Sequence, residues 1–210
     1  EFLPVSSSGH LAITQHILGA GTGESNLFFN VMLHVGTLVA VVAFYHKLVW
    51  DLIKEFFLML KDIFTGKFKW SKMNYNRNLV VMLIIGLIPL FLLFLPIPGT
   101  DMKLKDLADL LSASPVLIVT ACSLILTSVL LTIGIIRNRK SVASTHKHLA
   151  SKSNAKATRD SFNVVDAILV GVTQVCAALL PGLSRSGSTL AVGEMRGISK
   201  QKALDYTFVL

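Results

Sequence analysis

Apolar residues gather in long runs along this chain, and the runs are of unequal character. Three are long enough to cross a bilayer, which takes about 20 apolar residues. The first runs from about Asn26 to Tyr45 and is interrupted only by Asn30 and His34. The second, Leu79 to Ile97, carries no charge, and its Pro89 predicts a kink rather than a break. The third, Val116 to Ile136, is rich in Leu, Ile, Val, Ser and Thr. A fourth apolar stretch, Val164 to Leu183, holds Asp166, Gln174 and a Pro181-Gly182 pair and makes a poor lipid-facing span. The N-terminal segment, Glu1 to Ala20, is too polar and too short. Both are expected as re-entrant or broken helices, tolerated at membrane depth only where protein buries them.

The polar connections set the orientation. Segment 47–78 carries seven Lys/Arg against three acids, segment 98–114 two against three, and segment 137–163 seven against one. The positive-inside rule puts the first and third in the cytoplasm and the second outside. Within the first connection, Leu48 to Phe64 gathers its charges into one polar stripe, as expected of a helix that extends the preceding span and then lies at the cytoplasmic interface. Residues 137–160, with few large apolar groups, are expected to form a flexible loop.

Composition agrees with the pattern. Of the 210 residues, 52% are hydrophobic and 15% charged, against about 25% charged in soluble domains. The net charge of +8 would suit a nucleic-acid binder, but sixteen of the twenty Lys and Arg lie in the connections and no aromatic-interleaved basic face exists. Cys122 and Cys176 lie inside apolar stretches without metal-ligand spacing, as small hydrophobes do. The expected fold is all-α, a single polytopic membrane domain across residues 1–210. It comprises a re-entrant segment over 1–20, three transmembrane spans over 26–136, a basic cytoplasmic loop over 137–163 and a second re-entrant segment over 164–210. The chain starts at Glu1 and stops in a helical pattern at Leu210, so it is expected to be an excerpt lacking both natural ends.

Two short segments resemble each other. Ser6-Ser7-Ser8-Gly9-His10-Leu11 follows Pro4, and Ser184-Arg185-Ser186-Gly187-Ser188-Thr189 follows Pro181-Gly182. Three expected spans separate them, so the second copy enters from the opposite side. That is the arithmetic of an inverted-topology repeat whose broken helices meet near the midplane. The alignment sets Ser7 opposite Arg185 and His10 opposite Ser188.

Arg185 is the most telling residue, because a guanidinium in an apolar stretch is costly unless paired. Ser184, Ser186, Ser188 and Thr189 supply hydroxyls, and Gly182 and Gly187 let backbone N–H groups approach a ligand. Hydroxyls, amides and an Arg fork together make a phosphate cradle. The bland alternative is that Arg185 snorkels at a helix end or pairs with a structural carboxylate. Glu1 could hold Mg²⁺ or Ca²⁺, act as a general base, or be a surface residue. Ser7 and His10, three apart, share a helical face and suit a nucleophile with its base, although helix capping is the usual work of a Ser such as Ser6 or Ser8. His34 and His46 read as structural or interfacial, and His146 and His148 lie in the loop with no role assigned.

At these two motifs the sequence resembles the undecaprenyl-diphosphatase family, also called the bacitracin-resistance family. Glu1-Phe-Leu-Pro-Val-Ser-Ser-Ser-Gly-His10-Leu is similar to its first motif and Pro181-Gly-Leu-Ser-Arg-Ser-Gly-Ser-Thr189 to its second, and the spans between fit in order and length. The resemblance implies hydrolysis of undecaprenyl diphosphate to the monophosphate, which recycles the lipid carrier for cell-wall synthesis and confers bacitracin resistance. It implies a multi-pass protein of the bacterial cytoplasmic (inner) membrane, a site open to the outer face and a divalent cation, Mg²⁺ or Ca²⁺. Carried over by position, Glu1 is the metal ligand or base, Ser7 and His10 the nucleophile and proton-transfer group, and Arg185 the phosphate clamp. Ser6, Ser184, Ser186, Gly187 and Thr189 would line the diphosphate. Attack by His10 or by a metal-bound water stays open. The family has a further Glu or Gln four residues before the position of Glu1, which this chain starts too late to include, and its closing spans are absent too, so the excerpt alone is expected to be inactive. Expected partners are the polyprenyl diphosphate and membrane lipids, not nucleic acid, with a homodimer left open. The rival classes are a polyprenyl-phosphate transporter or flippase, which shares the inverted-repeat architecture, and a structural membrane subunit.

Overall fold

In a computed structural model, the described residues are 5–17, 24–66, 73–96, 102–104, 106, 117–149 and 159–210. Helices α1 (Ser7–Ile17), α2 (Glu24–Phe44), α3 (His46–Phe64) and α4 (Tyr75–Leu87) come first; a 3₁₀ segment, Ile88–Phe94, continues α4. Then follow α5 (Leu117–Leu149), α6 (Val164–Leu179), α7 (Arg185–Met195) and α8 (Lys200–Val209). Among the described residues the only β-pairings are two isolated bridges, Pro96 with Lys103 and Arg159 with Ile198. The fold is all-α.

Two described stretches, Tyr75–Phe94 and Ile118–Asn138, are long and apolar enough to cross a membrane on their own. A third crossing is reached if Val31–Phe44 and His46–Phe64, which meet at an angle of 84°, form one span. The bend at Tyr45 turns α3 away from α2, and the sequence of α3 explains why. Leu52 and Met59, seven apart, are its buried residues, while Glu55 and Asp62 on the polar side hold Arg77 at 3.2 and 2.8 Å. The same Arg77 sits in the first turn of α4, whose N-cap Asn74 accepts its backbone N–H at 2.7 Å. One amphipathic helix thereby anchors the start of the next membrane-capable stretch.

The kink expected at Pro89 takes the form of the 3₁₀ segment, as a missing N–H and a bulky ring dictate. The freed Gly86 carbonyl accepts the Gln174 side-chain amide at 3.2 Å. Gly171 of α6 packs so close to Gly86 and Pro89 that a β-carbon there would collide with both. Gln174 is therefore explained by packing.

The ends of α6 and α7 define a hairpin. Asp166, fully buried, closes a capping box with Asn163 at the start of α6. It also receives Arg196 Nε at 2.7 Å from the end of α7, and Arg159 Nη2 at 2.9 Å. The hairpin of two helices thus begins and ends at one place, the buried Asp166. With 16 and 11 residues, α6 and α7 reach only about 24 and 16 Å at 1.5 Å per residue, short of the roughly 30 Å hydrocarbon core. The second re-entrant expectation has this geometry. Tyr206 of α8 seals its flank, donating to the Met82 carbonyl at 2.7 Å and stacking on Phe162 at 4.0 Å.

One expectation is overturned. Residues 137–149 are not loop, because α5 continues to Leu149. The segment Ile136–Leu149 contains neither Gly nor Pro and carries Arg, Lys and Ala, which favour helix. Its polarity marks where the helix leaves the membrane, not where it ends.

Candidate active site

The second motif forms a tight turn followed by a helix start. Gly182 adopts φ +87°, a conformation that favours glycine. Ser184 caps α7, its Oγ accepting the Gly187 N–H at 3.0 Å and its carbonyl the Ser188 N–H at 2.9 Å. Thr189 turns back to its own helix, donating to the Arg185 carbonyl at 2.9 Å, and Ser186 Oγ lies 3.4 Å from Ser184 Oγ. Among the described residues no partner takes the N–H of Arg185 or Ser186, or the Arg185 guanidinium, which is exposed. Two open amides, the positive end of a helix and a free guanidinium are an anion site in chemical terms.

The first motif repeats this bonding. Ser6 Oγ accepts the Gly9 N–H at 3.1 Å and the Ser6 carbonyl accepts the His10 N–H at 3.2 Å. The register of the expected repeat, Ser7 with Arg185 and His10 with Ser188, is the register of these bonds. Two features differ. Ser6 sits at φ +65°, the sole non-glycine residue with positive φ among those described. His10 Nδ1 lies 2.8 Å from the Ser6 carbonyl, which can only accept, so in the neutral ring Nδ1 carries the proton and Nε2 keeps its lone pair. Ser7 is exposed at the first position of α1, and no hydrogen bond joins it to His10 among the described residues.

The two turns meet. A β-carbon at Gly9 would lie 3.4 Å from Gly182 Cα and 3.1 Å from Leu124 Cδ2 of α5. A cavity of about 650 Å³ opens beside them, lined by His10, Thr127, Ser128 and Thr132 among apolar side chains. Thr127 stands ten residues before Arg137 on α5, about 15 Å along a helix, which is half the hydrocarbon thickness. Thr127 also stands near the middle of Ile118–Asn138, so the turns meet beside the middle of that membrane-capable stretch. Glu1 lies outside the described residues, as does the start of the first motif. Among the described residues no three His, Cys, Asp or Glu side chains converge as metal ligands.

Three α5 residues outside both motifs hold this site. Thr120 crowds Gly182, Leu124 crowds Gly9, and Thr127 accepts the Ser184 N–H at 3.1 Å. Their only signal in the sequence is a 4-then-3 spacing, ordinary in any apolar helix.

Fold and site together define a polytopic helical membrane protein with two Ser-capped turns in contact at Gly9 and Gly182. Residues 1–210 match the family described as Bacitracin resistance protein BacA. The chain belongs to that family. Among curated relatives, the undecaprenyl-diphosphatase of Alkaliphilus metalliredigens is 36% identical over 211 residues, covering 100% of this chain and 66% of the relative. That of Bacteroides thetaiotaomicron is 32% identical, covering 100% and 65%; that of Methanobrevibacter smithii is 34% identical over 213 residues, covering 100% and 66%. The chain spans about two thirds of the length of these relatives.

Proposed function

We propose that the full-length protein hydrolyses undecaprenyl diphosphate to undecaprenyl phosphate and inorganic phosphate, from a site in the cytoplasmic (inner) membrane open to the outer face. In that role it recycles the carrier for bacterial cell-wall synthesis and confers bacitracin resistance. The observation that carries this reading is the contact, at Gly9 and Gly182, between the turn that opens the positively polarised helix start at Arg185 and the turn that carries His10, whose Nε2 is left free. The family and the names of its relatives supply the substrate.

In this reading the Arg185 fork and the Arg185 and Ser186 amides bind the diphosphate, since catalysis on a phosphoryl group is mostly positioning and charge neutralisation. His10 Nε2 accepts the proton of Ser7 as Ser7 Oγ attacks the terminal phosphorus. The bridging P–O bond breaks, undecaprenyl phosphate leaves, and water then releases phosphate from the serine. Ser6 and Ser184 shape the two turns, with Ser186, Gly187 and Thr189 beside the diphosphate. A divalent cation, Mg²⁺ or Ca²⁺, belongs to the reading, with Glu1 as its ligand, and would neutralise diphosphate charge when bound. The described residues do not make a metal site by themselves, and no step above passes through one.

Purified full-length protein in detergent, given undecaprenyl diphosphate and Mg²⁺ or Ca²⁺, is expected to release inorganic phosphate catalytically. Absence of release in both metals, with lipid moved between leaflets once the protein is reconstituted into vesicles, would make it a transporter.

A further inference from the structure

The long span α5 meets both turns with one face. Thr120, Leu124 and Thr127 follow at intervals of four and three, so they stack on one side of the helix. Thr120 touches the Gly182 turn, since a β-carbon there would lie 2.9 Å from Thr120 Cγ2. Leu124 touches Gly9 of the other turn. Thr127, only 2% exposed, is the one of the three that makes a hydrogen bond to a motif.

The bond is specific in its direction. Thr127 Oγ1 spends its proton on the Ser123 carbonyl at 2.9 Å, so its lone pair faces the Ser184 N–H at 3.1 Å. That N–H belongs to the N-cap residue and has no intrahelical acceptor. Without Thr127 it would be a buried donor with nothing to bond, and the turn would rotate to satisfy it. Because Arg185 N–H and Ser186 N–H follow within two residues, such a rotation re-aims both open amides and the root of the guanidinium. Further along the same contact, α5 runs parallel to α7. Gly134 packs against Ala191, where a β-carbon would lie 3.1 Å from Ala191 Cα, and Asn138 bonds Glu194 at 3.4 Å. The far end of α7 is thus held independently, which leaves Thr127 in charge of the near end.

We propose that Thr127 is a positioning residue: by holding the Ser184 N–H it fixes the start of α7, and hence the phosphate-binding amides and Arg185, against the Ser6–His10 turn. The proposal rests on the hydrolase reading for its kinetic consequence, but its structural consequence stands alone.

The test uses the full-length protein with Thr127→Val, Thr127→Ala and Thr127→Ser. Thr173→Val is the control, because Thr173 donates only within α6, to the Leu169 carbonyl at 2.8 Å. Val and Ala are expected to lower kcat/KM for undecaprenyl diphosphate by about 10–100-fold, mostly in kcat. Ser stays within about threefold, because it keeps the acceptor oxygen. Amide hydrogen exchange over residues 182–188 is expected to quicken in Val and Ala and not in Ser or the control. If Val does not fold, the Ala–Ser pair carries the same contrast. Unchanged exchange in Ala, or exchange in Ser as fast as in Ala, overturns the proposal. Wild-type protein that releases no phosphate defeats the hydrolase reading instead, while the exchange measurement still decides the role of Thr127.

Discussion

The turns at Ser6–His10 and Ser184–Ser188 share their hydrogen bonds, a buried cap and an exposed residue after it, Ser7 or Arg185, and differ at the fifth position, His10 against Ser188, and in the helix that follows. In the second, Gly187, Ser188, Thr189, Leu190 and Ala191 are all buried, and the helix that follows is tied down at its far end by Arg196 on Asp166. In the first, Ser7 and His10 are exposed, and His10 faces the cavity while its repeat partner Ser188 is fully buried. The same capping hydrogen bonds therefore serve two purposes. The packed turn is suited to grip a ligand without yielding, and the open one to present reactive groups. A repeat supplies the pairing; burial supplies the division of labour.

Breaking the gripping half should have the largest effect. Arg185→Lys in the full-length protein keeps the charge and removes the planar fork, so kcat/KM for undecaprenyl diphosphate should fall by about 100-fold or more. Phosphate release in detergent measures it. Turnover near that of wild type would mean that Arg185 does not clamp the diphosphate.

The next contrast is between the glycines where the turns touch. Gly182→Ala places a β-carbon at φ +87° and 2.9 Å from Thr120 Cγ2, which should cost about 1–3 kcal/mol. Gly9→Ala meets Leu124 Cδ2 and Ser6 Oγ at 3.1 Å, both able to shift, and its backbone is not left-handed. Its cost should be about 1 kcal/mol or less. Apparent melting temperatures of the two variants should therefore separate, with Gly182→Ala the lower. Equal losses would mean that the turns are equally constrained, against the contrast in backbone conformation.

Much of this architecture was legible in the sequence because it rests on patterns that hydrocarbon enforces. The span beginning near Leu79, the kink at Pro89 and the spacing of Ser184 to Gly187 follow from apolar length, a missing N–H and a short capped turn. What stayed hidden depended on contacts between distant residues. Asp166 looked like a flaw in an apolar helix, and it is the buried anchor for Arg159 and Arg196. Thr127 looked like any span threonine, because its partner lies 57 residues away. The helix from Arg137 to Leu149 replaces the expected loop, because polarity alone neither breaks a helix nor signals disorder. The tautomer of His10 follows from a single carbonyl that no sequence pattern marks.

The smallest predicted effect separates the turns most finely, because it differs in sign. Both Ser6 and Ser184 cap a helix, and a Gly cap costs only a few tenths of a kcal/mol relative to Ser. At Ser184, φ is −67° and glycine relieves nothing, so Ser184→Gly should lower stability by about 0.5 kcal/mol. At Ser6, φ is +65°, where a β-carbon costs about 1 kcal/mol and glycine removes it. Ser6→Gly should thus raise stability by about 0.5 kcal/mol while losing a hydroxyl beside His10. Paired thermal unfolding of the full-length variants reads the sign directly. A loss at Ser6 as large as that at Ser184 would show that the left-handed turn carries no strain. A gain accompanied by reduced turnover would show that serine is kept there, against its own backbone preference, for what its oxygen does at the site.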